Sequence, residues 1–341
     1  MVTAPPGADA APDAPPGSEW EPADRAGSLF AVPTSAGVPA VTMGMRDGQR
    51  LGFTLHNLMT HWDTSPFAIL TLVTVVVVGA WYVQSSWALS ARGRTWSRWR
   101  TASFLTGLVM IDLALQSSVA SYTMGYFEAH MVQHLLLMVI APPLVAMGAP
   151  MTLALQTSSR PVKTRLLRVL NSREFRWWSH PLPTAAFYYG GMFVFFLTSA
   201  LGVAMSHMWV MDLVNIAFLT ASLHFWWPIV GIDYIPHWRM GHGTKMVVLL
   251  IGVPVESFLA LALLTMTRPA APMYTLASTH AGAGILWVGA EMFTFLALIP
   301  VFLQWLRFEG RQTSRIDAEL DASYAEAGST LTPVDYGDLR R

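Results

Sequence analysis

Cysteine is absent from the 341 residues of this chain. That absence excludes disulfides, thiolate metal sites, iron–sulfur clusters and thiol nucleophiles together. Charge is scarce as well: 12% of residues are Asp, Glu, Lys or Arg, against about a quarter in an average soluble protein. Formal net charge is zero, and the charges fall in clusters rather than along a basic stripe, so no nucleic-acid partner is indicated. The signatures of P-loops, G-x-S-x-G hydrolases and H-E-x-x-H proteases are missing, and no enzymatic activity is expected. A clear internal repeat is lacking too, which argues against the inverted-repeat transporters.

What the chain has instead is apolar bulk: 53% hydrophobic residues, with 14 Trp and 19 Met. Seven long apolar stretches run over 66–89, 101–121, 127–147, 183–205, 209–231, 246–266 and 281–306. Each is near the length of about 20 residues that a hydrocarbon core of about 30 Å requires. The expected fold is an all-α integral membrane protein, a bundle of seven transmembrane helices in the cell membrane. Residues 1–50 are rich in Ala, Pro, Gly and acidic residues without apolar period, and read as a disordered tail. They lack the basic start and apolar core of a usual signal peptide. Residues 51–65 are too short and mixed to span and suit an interface; 309–341 read as a polar tail.

Basic residues close to spans are retained in the cytoplasm. The connections "ARGRTWSRWR", "RPVKTRLLRVLNSREFRWW", "HWRMGHGTK" and "RFEGRQTSR" hold four, six, two and three Lys or Arg. On the alternate side "SYTMGY" and "SH" hold none and "TRPAAPMYTLASTH" holds one. The N-terminus is therefore expected outside and the C-terminus in the cytoplasm. The lysines, Lys163 and Lys245, fall in a loop and at a span edge, leaving no mid-membrane amine for a retinal Schiff base.

The third stretch, "EAHMVQHLLLMVIAPP", carries two imidazoles where hydrocarbon is expected, and polar groups buried there unpaired are costly. His130 lies about 5 Å and His134 about 10 Å below the outer end at the helical rise, close to water. His130, His134 and Met138 share one face at i, i+4 and i+8, with Met131 beside it. Pro142 and Pro143 should kink this span. The outer end of the fourth span brings His207, flanked by Met205 and Met208, and the head of the seventh brings His280. His56, Met59 and His61 precede the first span. Imidazole and thioether together are the donors expected of a Cu(I) site without thiolate. Deeper in the spans lie Asp112, Glu256, Glu291 and His224, which must be paired, protonated or facing a wet interior. Two other readings stay open. One is a haem b electron carrier, with His130 or His134 and His207 or His280 as axial ligands; the other is a copper or proton transporter using the intramembrane carboxyls as its path.

Three motifs carry a family resemblance. "HMVQHLLLMVIAPPLVAMGAP" is similar to the signature of the membrane-integral CtaG-type cytochrome c oxidase assembly factors. "WWPIVGIDYIP" and "GAGILWVGAE" support it, and the likeness covers roughly residues 60–308. The resemblance implies a role in producing active haem-copper oxidase, with copper supply the favoured idea. It carries the family's His pair onto His130 and His134, its Trp onto Trp287 and its acidic residue onto Glu291. Oxidase subunits, soluble copper chaperones and the lipid bilayer are the implied partners. At the head of the seventh span the family commonly has Asp and Gln, where this chain reads "STHAGAG".

Overall fold

The computed structural model describes residues 62–233 and 240–330, with side chains to 326. The predicted tail at 1–50, most of the interfacial segment at 51–65 and its His56, Met59 and His61 lie outside the described residues. Every regular element among the described residues is helical. Among the described residues, six helices are long and apolar enough to cross a membrane, or seven if one bent pair is counted as a span.

The first is α1 (Pro66–Ala91), started by the Ser65 hydroxyl accepting from the Ala68 N–H at 3.2 Å. It leaves Ile69, Leu70, Val73, Val76 and Val77 exposed; a row of aliphatic side chains facing away from the core is what a lipid-facing helix carries. Next come α2 (Arg98–Gln116) and the short α3 (Ser118–Tyr122), which together make one candidate span broken at Ser117.

The third span is built in pieces: α4 (Phe127–His134), a π-helical turn over Leu135–Ile140, and α5 (Ala141–Met147). The expected interruption by Pro142 and Pro143 thus includes a widened turn just before them. In an α-helix residue 142 would donate to the Met138 carbonyl and 143 to that of Val139, and proline has no N–H to give. The Ala141 N–H bonds instead to the carbonyl of Leu136, five residues back. The freed Met138 carbonyl accepts from the Trp226 indole at 2.7 Å and from the Tyr188 hydroxyl at 3.4 Å.

The chain continues through α6 (Pro150–Thr157), α7 (Arg160–Leu170) and α8 (Arg173–Trp178). The expected fourth span, 183–205, is two helices: α9 (Pro181–Leu197) and α10 (Ala200–Ser206), bent by 76°. The Thr198 hydroxyl marks the break, donating to the Val194 carbonyl and accepting from the Ala200 N–H. The remaining spans are α11 (Met208–Val230), α12 (His242–Leu264) and α13 (Leu276–Thr330). Helix α13 is 55 residues long, so it runs well past the expected end at 306, and beyond Leu303 nearly every side chain is exposed.

The third span is the packing centre, touching α2, α11 and α13. Its side chains Phe127, Met131, Leu137 and Met138 are fully buried. Helix α13 can approach α4 because Gly282 faces it: a Cβ there would lie 2.5 Å from the Phe127 ring and 3.0 Å from its carbonyl oxygen. Small residues at such crossings let backbones close up where lipid offers no hydrophobic driving force.

Candidate functional site

At the centre of this packing stand the two histidines of α4. One helical turn separates them, and their rings stack with centroids 4.8 Å apart and Nε2 atoms 2.9 Å apart. His130 is 0% and His134 1% exposed, so the pair is sealed rather than close to water. The seal is aromatic: Phe127, Phe195, Phe196 and Tyr274 surround His130, and Phe195, Phe196 and Phe218 surround His134.

The hydrogen bonds around the pair set its tautomers. Tyr274 donates its hydroxyl proton to the Thr123 carbonyl at 2.6 Å. Its oxygen is then the acceptor for His130, whose Nδ1 lies 2.9 Å away. A neutral His130 protonated at Nδ1 presents a lone pair at Nε2, so His134 donates Nε2–H to it. His134 Nδ1 is left as a bare lone pair, buried and without a hydrogen-bond partner. A chain of three donors thus ends on one uncommitted nitrogen.

Tyr274 sits in the connection between α12 and α13, where burial pushes its hydroxyl pKa up, chiefly through desolvation and further through the nearby Glu128 charge. Glu128 accepts from the Ser278 hydroxyl, and Ser278 in turn accepts from the Phe127 N–H at 2.9 Å. These bonds lock the start of α4 to the start of α13.

The other candidate residues are not gathered at the pair. Met131 and Met138 are buried in the core on the same span; the Met138 carbonyl is committed to Trp226. His207 is exposed at the α10–α11 junction and bonds to the Ser206 hydroxyl at 2.9 Å. His280 donates through Nε2 to the Met266 carbonyl at 3.0 Å, closing the connection ahead of α13. His224 is half-buried and donates to the Thr220 carbonyl one turn back. Among the described residues, no group of three or more His, Cys, Asp or Glu is positioned to hold a metal ion.

Two intramembrane carboxyls, Glu256 and Glu291, form a second polar region. Glu291 accepts from Ser257 at 2.6 Å and from the Trp287 indole at 2.5 Å, joining α12 to α13. Glu256, one residue before Ser257, is 4% exposed and its Oε2 has no hydrogen-bond partner. Asp112 on α2 likewise has an unpartnered Oδ1. His224 does not pair with either glutamate.

Sequence reasoning missed Tyr274 and gave Trp226 and Asp233 no role beyond membership of a motif. Asp233, in the loop after α11, accepts from the Met151 and Thr152 N–H groups at 3.1 and 2.7 Å and so caps α6. That explains the Asp of "WWPIVGIDYIP" as a helix cap. Tyr274 lies 144 positions from His130, and no local spacing announces a contact so distant.

Comparison with known proteins adds a family. The model described as cytochrome c oxidase caa3 assembly factor matches residues 80–308. Uncharacterized proteins of Mycobacterium bovis and Mycobacterium tuberculosis are each 28% identical over 291 residues, covering 80% of this chain and 43% of theirs. One from Mycobacterium leprae is 27% identical over 288 residues, 79% of this chain and 44% of that protein. The chain thus spans less than half the length of these curated relatives. No solved structure matches.

Proposed function

This chain belongs to the cytochrome c oxidase caa3 assembly factor family, and from that premise we propose that it supplies Cu(I) to a haem-copper oxidase through the His130–His134 pair. The observation that carries this reading is the partnerless buried lone pair on His134 Nδ1, beside a second imidazole. An orphaned acceptor in an aromatic cage costs free energy that a bound ligand recovers. Neutral imidazole suits copper. The fit has a geometric condition. Two nitrogens on one metal at about 2.0–2.1 Å stand roughly 3.3 Å apart in tetrahedral geometry, so rings joined at 2.9 Å must part slightly, or His134 must bind through Nδ1.

The family description supports a role in oxidase biogenesis. The basic connections argue that the N-terminus and the pair's end of α4 face outward across the cell membrane, where an oxidase subunit and a soluble copper donor could meet them. The haem reading is less favoured: His130 and His134 sit on one helix in direct contact, whereas His207 and His280 are engaged elsewhere. An axial pair needs imidazoles from facing sides of the macrocycle.

The test is the double variant His130→Ala/His134→Ala in a cell that makes the oxidase. Oxidase copper content should fall while the variant stays in the membrane at the wild-type level. Normal copper content would sink the reading. An absorption spectrum of the purified protein separates the alternative, since bound haem would give a Soret band.

A further inference from the structure

A pair that is 0% and 1% exposed cannot exchange a ligand unless something leads to it. One cavity of about 410 Å³ opens where α9 breaks from α10, opposite the end of α12. Phe196, Leu197, Thr198, Thr265, Met266 and Arg268 line it. Phe196 is the connection to the pair: its ring lies edge-on to both imidazoles, with centroids 5.9 Å from His130 and 5.0 Å from His134. A single aromatic layer thus separates the cavity wall from the site. The 76° bend two residues after Phe196 gives that layer a nearby point of movement.

The charge at the mouth is the unexpected part. Arg268 is the lining residue that carries charge, and a guanidinium repels a bare cation. It attracts an anion. We propose that this cavity is the port through which Cu(I) reaches the histidine pair as an anionic complex, with Arg268 attracting the complex and Phe196 the layer the metal passes. The proposal rests on the pair being the copper site. The Met266 thioether in the wall offers a neutral soft donor on the way, and the bond from His280 to its carbonyl holds that residue in place. The step is ligand exchange without redox change: bonds from copper to the carrier's donors break, bonds to imidazole nitrogen form, and the anionic carrier leaves by the port.

The full chain in detergent is offered Cu(I) either as its anionic bicinchoninate complex or as its cationic acetonitrile complex, and the rate and final amount of copper taken up are followed. His130→Ala/His134→Ala defines the uptake that belongs to the pair. Ala262→Trp, which fills the cavity from its α12 wall, should slow uptake from both donors by about tenfold, as a blocked gate does, with the final amount unchanged. Arg268→Glu, at the exposed rim, should slow uptake from the bicinchoninate complex and not from the acetonitrile complex. Wild-type rates in Ala262→Trp overturn the port. Equal response of Arg268→Glu to both donors overturns the anionic carrier. If the wild type takes up no copper that the double histidine variant loses, the reading of the pair as a copper site fails and the port falls with it.

Discussion

His134 differs from most buried histidines in that its polar partners run out. Tyr274, His130 and Thr123 satisfy one another in sequence, and His134 Nδ1 remains without a partner. Removing the tyrosine hydroxyl should be felt along this chain. Tyr274→Phe keeps the ring and strips the Thr123 carbonyl of its donor and His130 Nδ1 of its acceptor, at a cost of about 1–3 kcal/mol per buried group. A lowered melting temperature in detergent is expected, and an unchanged one would mean that water takes over the hydroxyl's place. Asp233 gives a prediction with a sign in pH. Burial raises its carboxyl pKa, and the bonds from Thr152 and Met151 and the charge of Arg100 offset this only in part. The folded chain therefore holds the proton more tightly than the unfolded one. That contribution to stability is complete below the unfolded value, near ~3.9, and is lost as pH rises through the raised folded value. Asp233→Asn keeps a capping oxygen and cannot titrate. Its melting temperature should vary less with pH across that window; equal slopes in the two proteins would clear Asp233 of the effect.

The third span is an element whose sequence contradicts a plain α-helix at one point and whose neighbours repair it. Prolines at 142 and 143 remove two donors, the turn over Leu135–Ile140 widens, and the Trp226 indole takes the Met138 carbonyl. Widened turns of this kind are frequent at functional sites, and here the turn begins at the residue after His134. Trp226→Phe preserves the aromatic bulk and withdraws the 2.7 Å bond, leaving only the longer one from Tyr188. A loss of about 1–3 kcal/mol is expected from the unmet carbonyl, with faster hydrogen exchange in peptides covering 135–145. Exchange no faster than wild type would show that Tyr188 alone suffices. The broken α9–α10 pair follows a similar logic, since the Thr198 hydroxyl serves both sides of the break. Nothing in the apolar run 183–205 marked that position, because apolar residues continue on both sides of Thr198.

For the whole molecule, orientation is the property that everything else leans on, and the missing cysteines make it measurable. Ser206→Cys, at the exposed α10–α11 junction, should react in intact cells with a maleimide that cannot cross the membrane; Ser314→Cys, on the exposed far part of α13, should react only after lysis. The reverse pattern would invert the topology and move the histidine pair to the cytoplasmic half. Much of this protein was legible in its residues. An apolar run long enough for hydrocarbon has few choices but helix, because lipid offers its backbone no hydrogen bonds; the helices, the proline interruption and the His130–His134 face all follow from that. His207 and His280 had the right residue type at the right chain depth, yet the fold engages them with local backbone and neighbours rather than with the pair. Depth along a helix is set by a rise of about 1.5 Å per residue and can be counted. Which faces meet depends on contacts such as Gly282 against Phe127, Tyr274 against His130 and Trp226 against Met138. Those join residues 88 to 155 positions apart, so the sequence determined which groups must be satisfied and the tertiary structure alone decided by whom.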